Sequence, residues 1–181
     1  TATSLISGLV YKVRVAAITS AGTGPPSDGQ AVADQAAPTE LAPKQVPEAP
    51  VTATLVNYRG FDNALKVYWT RPLTQAGVAN VGTVDGDNGD AITHFVVTWA
   101  SAAFPLANAS SKISSVELTL AQAASARTAA TSYEYIITTA PAGAATFVQV
   151  RAKNSLGLGP ATSTTPASET ARLAPSAIPA D

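Results

Sequence analysis

Hydrophobic and polar positions alternate with a period of two in several short runs of this chain. In the first run Tyr11, Val13, Val15, Ala17 and Thr19 fall on one side, and Lys12, Arg14 and Ala16 on the other. Leu65, Val67 and Trp69 alternate with Lys66, Tyr68 and Thr70, and Phe95, Val97 and Trp99 alternate with His94, Val96 and Thr98. Val116, Leu118 and Leu120 alternate with Glu117 and Thr119. Successive side chains of a strand point to opposite faces, so each run predicts a half-buried strand with its polar side outward. Tyr133 to Thr139 is a further β-rich run, whereas the Ala-rich stretch 121–130 fits a helix or a loop. Thirteen prolines and twelve glycines punctuate the runs. That texture predicts an all-β chain, a sandwich or a barrel.

The first run has a counterpart. Gly8, Val13, Val15 and Ala17 match Gly143, Val148, Val150 and Ala152 at one constant offset of 135 positions, and Gly22, Gly24 and Pro25 match Gly157, Gly159 and Pro160 at the same offset. One offset running through glycines, core valines and a turn proline marks an internal repeat. Each copy leads into a Pro/Ala-rich stretch: 33–50, with Pro38, Pro43, Pro47 and Pro50, and 165–181, with Pro166, Pro175 and Pro179. Prolines at such spacing favour extended linkers.

These residues resemble the fibronectin type III family. Leu65 to Pro72 is similar to its second strand, with Trp69 as the core tryptophan, and Asn88 to Trp99 is similar to its turn and third strand, with Phe95 where the family usually has Tyr. Leu5 to Tyr11 is similar to the tyrosine corner, with Tyr11 in the corner position. The resemblance implies antiparallel immunoglobulin-like β-sandwich modules in tandem. Residues 1–33 correspond to the last strands of one module, 34–49 to a Pro-rich linker, 50–167 to a complete module, and 168–181 to a linker or the start of another. The implied structural core is Tyr11, Trp69, Phe95, Trp99, Val148 and Val150. The second copy departs from the pattern, with Thr146 at the corner position and two long insertions at 73–87 and 100–131. Apolar residues of an insertion, such as Leu118 and Leu120, are expected to fill the lost volume. The strands missing from the first copy are expected before Thr1 or from an adjacent chain. Leu156 and Leu158 are expected to be buried at a module junction.

Charge narrows the partners. Charged residues are 13% of the chain and the formal net charge is -1, so no basic field exists to attract nucleic acid. No apolar stretch is long enough to span a bilayer. Cysteine is absent, so no thiol nucleophile or Cys-based metal site is available. The single histidine, His94, points away from the Phe95/Val97/Trp99 face, and no G-x-S-x-G, HExxH or phosphate-binding glycine loop occurs. A non-catalytic chain without cofactors is expected. Asp85, Asp87 and Asp90 form the densest acidic cluster and are the weak candidates for a Ca²⁺ site, but their spacing fails the EF-hand pattern and Asn88-Gly89 is by itself a hairpin-turn signal. Asn108-Ala109-Ser110 is a glycosylation acceptor sequence.

The expected role is a structural or adhesive tandem-repeat module of a large extracellular or cell-surface filament-type protein. It would act as a spacer and interaction surface for other modules of the same or neighbouring chains. Accessory modules of a secreted carbohydrate-active enzyme, a receptor ectodomain and an intracellular scaffold are the alternatives, and fold alone does not separate them.

Overall fold

The computed structural model describes residues 5–28, 40–73, 86–105, 113–124 and 132–173. The first part is a hairpin of short strands: β1 (Tyr11–Lys12), β2 (Arg14–Val15), β3 (Ile18–Thr19), β4 (Gly22–Thr23) and β5 (Ser27–Asp28), with β6 (Glu40–Leu41) beside β1. The pairs β3–β4, β2–β5 and β1–β6 are all antiparallel.

The second part is a sandwich. Its elements are β7 (Ala53–Asn57), β8 (Leu65–Thr70), β9 (His94–Ala100), β10 (Ile113–Thr119), α1 (Leu120–Ala123), β11 (Ser132–Ile137), β12 (Ala145–Asn154) and β13 (Gly157–Thr170). The strand order is β10-β9-β12-β13-β7-β8-β11. Every pairing is antiparallel except β13 with β7, which meet in parallel at one position, Thr165 opposite Thr54. That contact stitches the four-stranded layer β10-β9-β12-β13 to the three-stranded layer β7-β8-β11. The single helical turn α1 starts with a capping box, Thr119 Oγ1 accepting from Gln122 N–H while the Gln122 side chain reaches back to Thr119 N–H.

Between the layers Trp69, Phe95, Leu55, Leu65, Ile137, Val67, Val97, Val148 and Val150 are fully buried. Trp69 meets Phe95 edge-on at 5.5 Å between ring centroids, and Tyr133 lies 4.5 Å from Phe95 and 6.1 Å from Trp69. Such aromatic clusters contribute beyond their buried area. Leu118 is buried and Leu120 packs against the core, as the volume argument expects.

The repeat is a repeat of backbone. Gly8 and Gly143 both have positive φ, 79° and 71°. Leu9 N–H donates to Ile6 O, and Ala144 N–H to Pro141 O, 135 positions on. Ile18 pairs Thr23 as Lys153 pairs Leu158, and Arg14 pairs Asp28 as Gln149 pairs Ser163. Burial differs. Val148 and Val150 are buried, whereas Val13 and Val15 are 60% and 63% exposed, because among the described residues no second sheet lies over the hairpin. Tyr11 still makes its corner: its phenol oxygen accepts from Ile6 N–H at 2.8 Å, although the ring is only half-buried.

The fold departs from expectation in five places. Trp99 is half-buried at the rim, leaning on Tyr135 at 6.3 Å. Lys66, placed on an outward face by alternation, is buried because Glu134 pairs with its ammonium at 2.9 Å. The supposed insertion at 100–131 contributes a regular edge strand, β10, and α1. Strand β13 runs on to Thr170 and Ala171 is buried, past the boundary read at residue 167. Leu156 and Leu158 remain 52% and 43% exposed, since the linker main chain at Pro47 passes the turn in their place.

Thr146 stands where Tyr11 stands in the first copy. It is buried and its hydroxyl has no partner among the described residues. An unsatisfied buried hydroxyl carries its full desolvation cost. Thr146→Val is therefore expected to raise the unfolding free energy by about 1 kcal/mol, read as an increased urea midpoint at unchanged slope. A lowered midpoint would show that the hydroxyl is satisfied in solution.

Candidate functional site: the junction ahead of the sandwich

The segment 43–48 does not hang free between hairpin and sandwich. It lies along the turn at 86–90 and the loop at 154–157. Gln45 N–H donates to Asn88 O at 3.1 Å, and Glu48 N–H to Gly86 O at 2.8 Å. The Asn88 side-chain amide donates to Val46 O at 2.8 Å and to Glu48 Oε1 at 3.2 Å. Asn88 sits at φ 56° and Gly89 at φ 82°, the left-handed pair that an Asn-Gly turn requires.

The centre of the junction is Asn154, buried at the end of β12. Its Nδ2 donates to Gln45 O at 2.7 Å and to Asp90 O at 3.3 Å. Its Oδ1 accepts from the N–H groups of Leu156 and Gly157 at 2.9 and 3.2 Å. One amide thus closes the β12–β13 turn and fastens the linker to the sandwich. In the hairpin Thr19 holds the matching place, and its hydroxyl accepts from Ala21 N–H, closing the turn but, among the described residues, reaching no linker.

The acidic cluster is used in the same framework. Asp87 Oδ1 accepts from Gly89 N–H at 2.9 Å. Asp90 takes Ser155 N–H on Oδ2 at 2.9 Å and the Lys44 ammonium on Oδ1 at 3.0 Å. Hydrogen bonds from Ser155 and then from Lys44 hold the Asp90 carboxyl below its ordinary pKa. These two carboxylates are engaged by local backbone and a lysine, and among the described residues no three His, Asp or Glu side chains gather at one point. Asp85 and Asn108 lie outside the described residues. His94 lies on the outer face beside Thr93 and 3.8 Å from Glu117, which itself pairs with Lys153 at 2.7 Å.

A second feature occupies the opposite pole. Tyr58 and Phe61 stack at 4.8 Å beside an open groove of about 750 Å³, also lined by Arg59, Glu169, Arg172 and Leu173. The Lys66 ammonium lies 5.4 Å from the Tyr58 ring and 4.9 Å from the Tyr68 ring. Its hydrogen bond to Glu134 raises its pKa against the opposing pull of burial. Sequence reasoning missed Lys44, Asn154 and this pole. The signal at Asn154 was its place opposite Thr19 in the repeat, a side chain able to donate as well as accept.

No family model matches the chain, and no curated protein matches it. Among solved structures it is similar to the crystal structure of the chicken CNTN1 FN1-FN3 domains, with 20% identity and a TM-score of 0.42 over 87% of this chain and 43% of that one. It is also similar to the solution structure of the third fibronectin III domain of the human KIAA0343 protein, with 11% identity and a TM-score of 0.45 over 81% of this chain and 99% of that one. This chain thus spans less than half the length of the chicken chain. The two layers, the tyrosine corner at Tyr11 and the Trp69-centred core make the fold fibronectin type III-like.

Two outcomes test the junction. Asn154→Ala leaves two turn N–H groups and the Gln45 carbonyl without their partner, at a cost of about 1–3 kcal/mol. It is expected to lower the denaturation midpoint and to open 43–48 to limited proteolysis; unchanged cleavage would refute the clamp. The Asp90 carboxyl is held below its ordinary pKa when folded, so its contribution is complete above the unfolded value of about 4 and is lost as pH falls through the folded value. A urea midpoint followed from pH 6 down to about 2 should therefore fall below about pH 4, and less steeply in Asp90→Asn.

Proposed function

We propose that this chain is a stretch of a tandem β-sandwich array that spaces and presents interaction surfaces at a cell surface or in an extracellular filament. The observation that carries the reading is the repeated strand–turn–strand unit, in register at 135 positions, with the stretch 43–48 ahead of the second copy fastened to the sandwich. A linker fastened through Gln45, Val46 and Glu48 transmits orientation from one module to the next, as a spacer must and a flexible tether does not.

Partner modules are the second part of the proposal. The hairpin presents Val13 and Val15 where the sandwich buries Val148 and Val150 beneath β7 and β8. That exposed stripe has the chemistry of half a sandwich core, and another polypeptide segment is its natural cover. The role is read as non-catalytic: the polar side chains of the junction are engaged with backbone groups and with one another. Among the described residues no helix is long and apolar enough to cross a membrane.

Antibodies raised against the folded sandwich are expected to label intact, unpermeabilised cells or material shed from them. Labelling that appears only after permeabilisation would overturn the extracellular reading.

A further inference from the structure

We propose that the Gly143 turn is the open half of a repeating joint. Its occupant is the Asn-Gly pole of another module of this type, one presenting a turn equivalent to Asn88-Gly89. The proposal rests on the tandem-array reading and adds to it the contact by which modules are fixed.

The closed form of the joint is visible at the hairpin. Gly8, at φ 79°, donates its N–H to Pro43 O at 2.8 Å, so the corner turn grips the departing chain. Gly89 of the next unit then packs directly on this grip. A Cβ at residue 89 would lie 2.7 Å from Gly8 Cα and 3.0 Å from Pro43 O, so two backbones touch with no side chain between them. Only glycine on the incoming turn permits that approach.

The open form is at Gly143. Its φ is 71°, and its N–H donates to Ala171 O at 3.3 Å, again gripping the departing chain. Ala171 stands where Pro43 stands: two residues earlier, Glu169 pairs Thr146 as Leu41 pairs Tyr11. Yet a Cβ at residue 143 would meet nothing within 4 Å. Turn and grip are built, and among the described residues nothing takes the place of the third element. The same pole carries apolar surface to be covered. Arg172 O accepts from Asn63 N–H at 3.1 Å, tying the departing chain to the loop that bears Phe61. Phe61 and Leu173 line one groove and are 60% and 62% exposed.

The test appends residues 44–181 directly after Ala171 of the full chain, placing a second Asn-Gly pole at the spacing seen in the closed joint. Nitrogen-15 relaxation is expected to show the two sandwiches tumbling as one body. Exchange of the Gly143 amide should slow about tenfold relative to the unextended chain. Gly143→Ala should abolish both effects. Gly22→Ala, on the β3–β4 turn of the hairpin, also carries a positive φ with open space around it, so it should leave both intact and controls for backbone strain. If Gly143→Ala fails to fold, Gly89→Ala in the appended copy serves the same purpose. Independent tumbling with unchanged Gly143 exchange would overturn the joint. Surface labelling of cells in that case would leave an array of loosely tethered modules, so the two failures are distinguishable.

Discussion

Through one buried amide, Asn154 ties the 43–48 segment, the 86–90 turn and the β12–β13 turn to one another. Its amide lies at the end of β12, buried from water, with donors and acceptors both engaged. Without the Oδ1 acceptor the N–H groups of Leu156 and Gly157 would be unpaired at a turn that must close before β13 can return along β12. Without the Nδ2 donor the Gln45 carbonyl would be desolvated and unsatisfied. A buried polar network of this kind specifies geometry because every alternative arrangement strands at least one group. Lys44, Asn88 and Asp90 elaborate it at the surface.

The two copies separate local from non-local physics. Turn geometry, strand register and the main-chain hydrogen bond that closes the corner turn form in both, since they depend on glycines at positive φ and on residues a few positions apart. Burial forms only where a second sheet is present, so Val150 is in the core while Val15, on the same backbone, faces water. That is why the constant offset was legible in the residues as strand–turn–strand geometry, and why burial was not.

Period-two alternation located β8, β9, β10 and β12 and put Trp69, Phe95, Val97, Val148 and Val150 in one core. It failed where a partner outside the run decided the outcome. Lys66 is buried because Glu134 on β11 pairs with its ammonium, which also lies over the Tyr58 and Tyr68 rings. Trp99, near the end of β9, is only partly buried against the core and leans on Tyr135 at 6.3 Å. The acidic residues at 87 and 90, weak cation candidates by spacing, accept instead from Gly89, Ser155 and Lys44, partners that composition does not reveal.

The junction is made mostly of backbone groups and neutral amides, and the chain is poor in charge. Attraction between exposed charges fades over a Debye length of about 8 Å at physiological ionic strength. Hydrogen bonds between buried amides do not fade in this way. Lys44 pairs with Asp90 at the junction, and Lys44 is half exposed, so salt should loosen that pair while leaving Asn154, Asn88 and the Gly8–Gly89 contact in place. A joint of this chemistry keeps its geometry across ionic conditions. It also discriminates by shape: any Cβ on the incoming turn would hold the modules apart, so the fit selects for glycine rather than for charge.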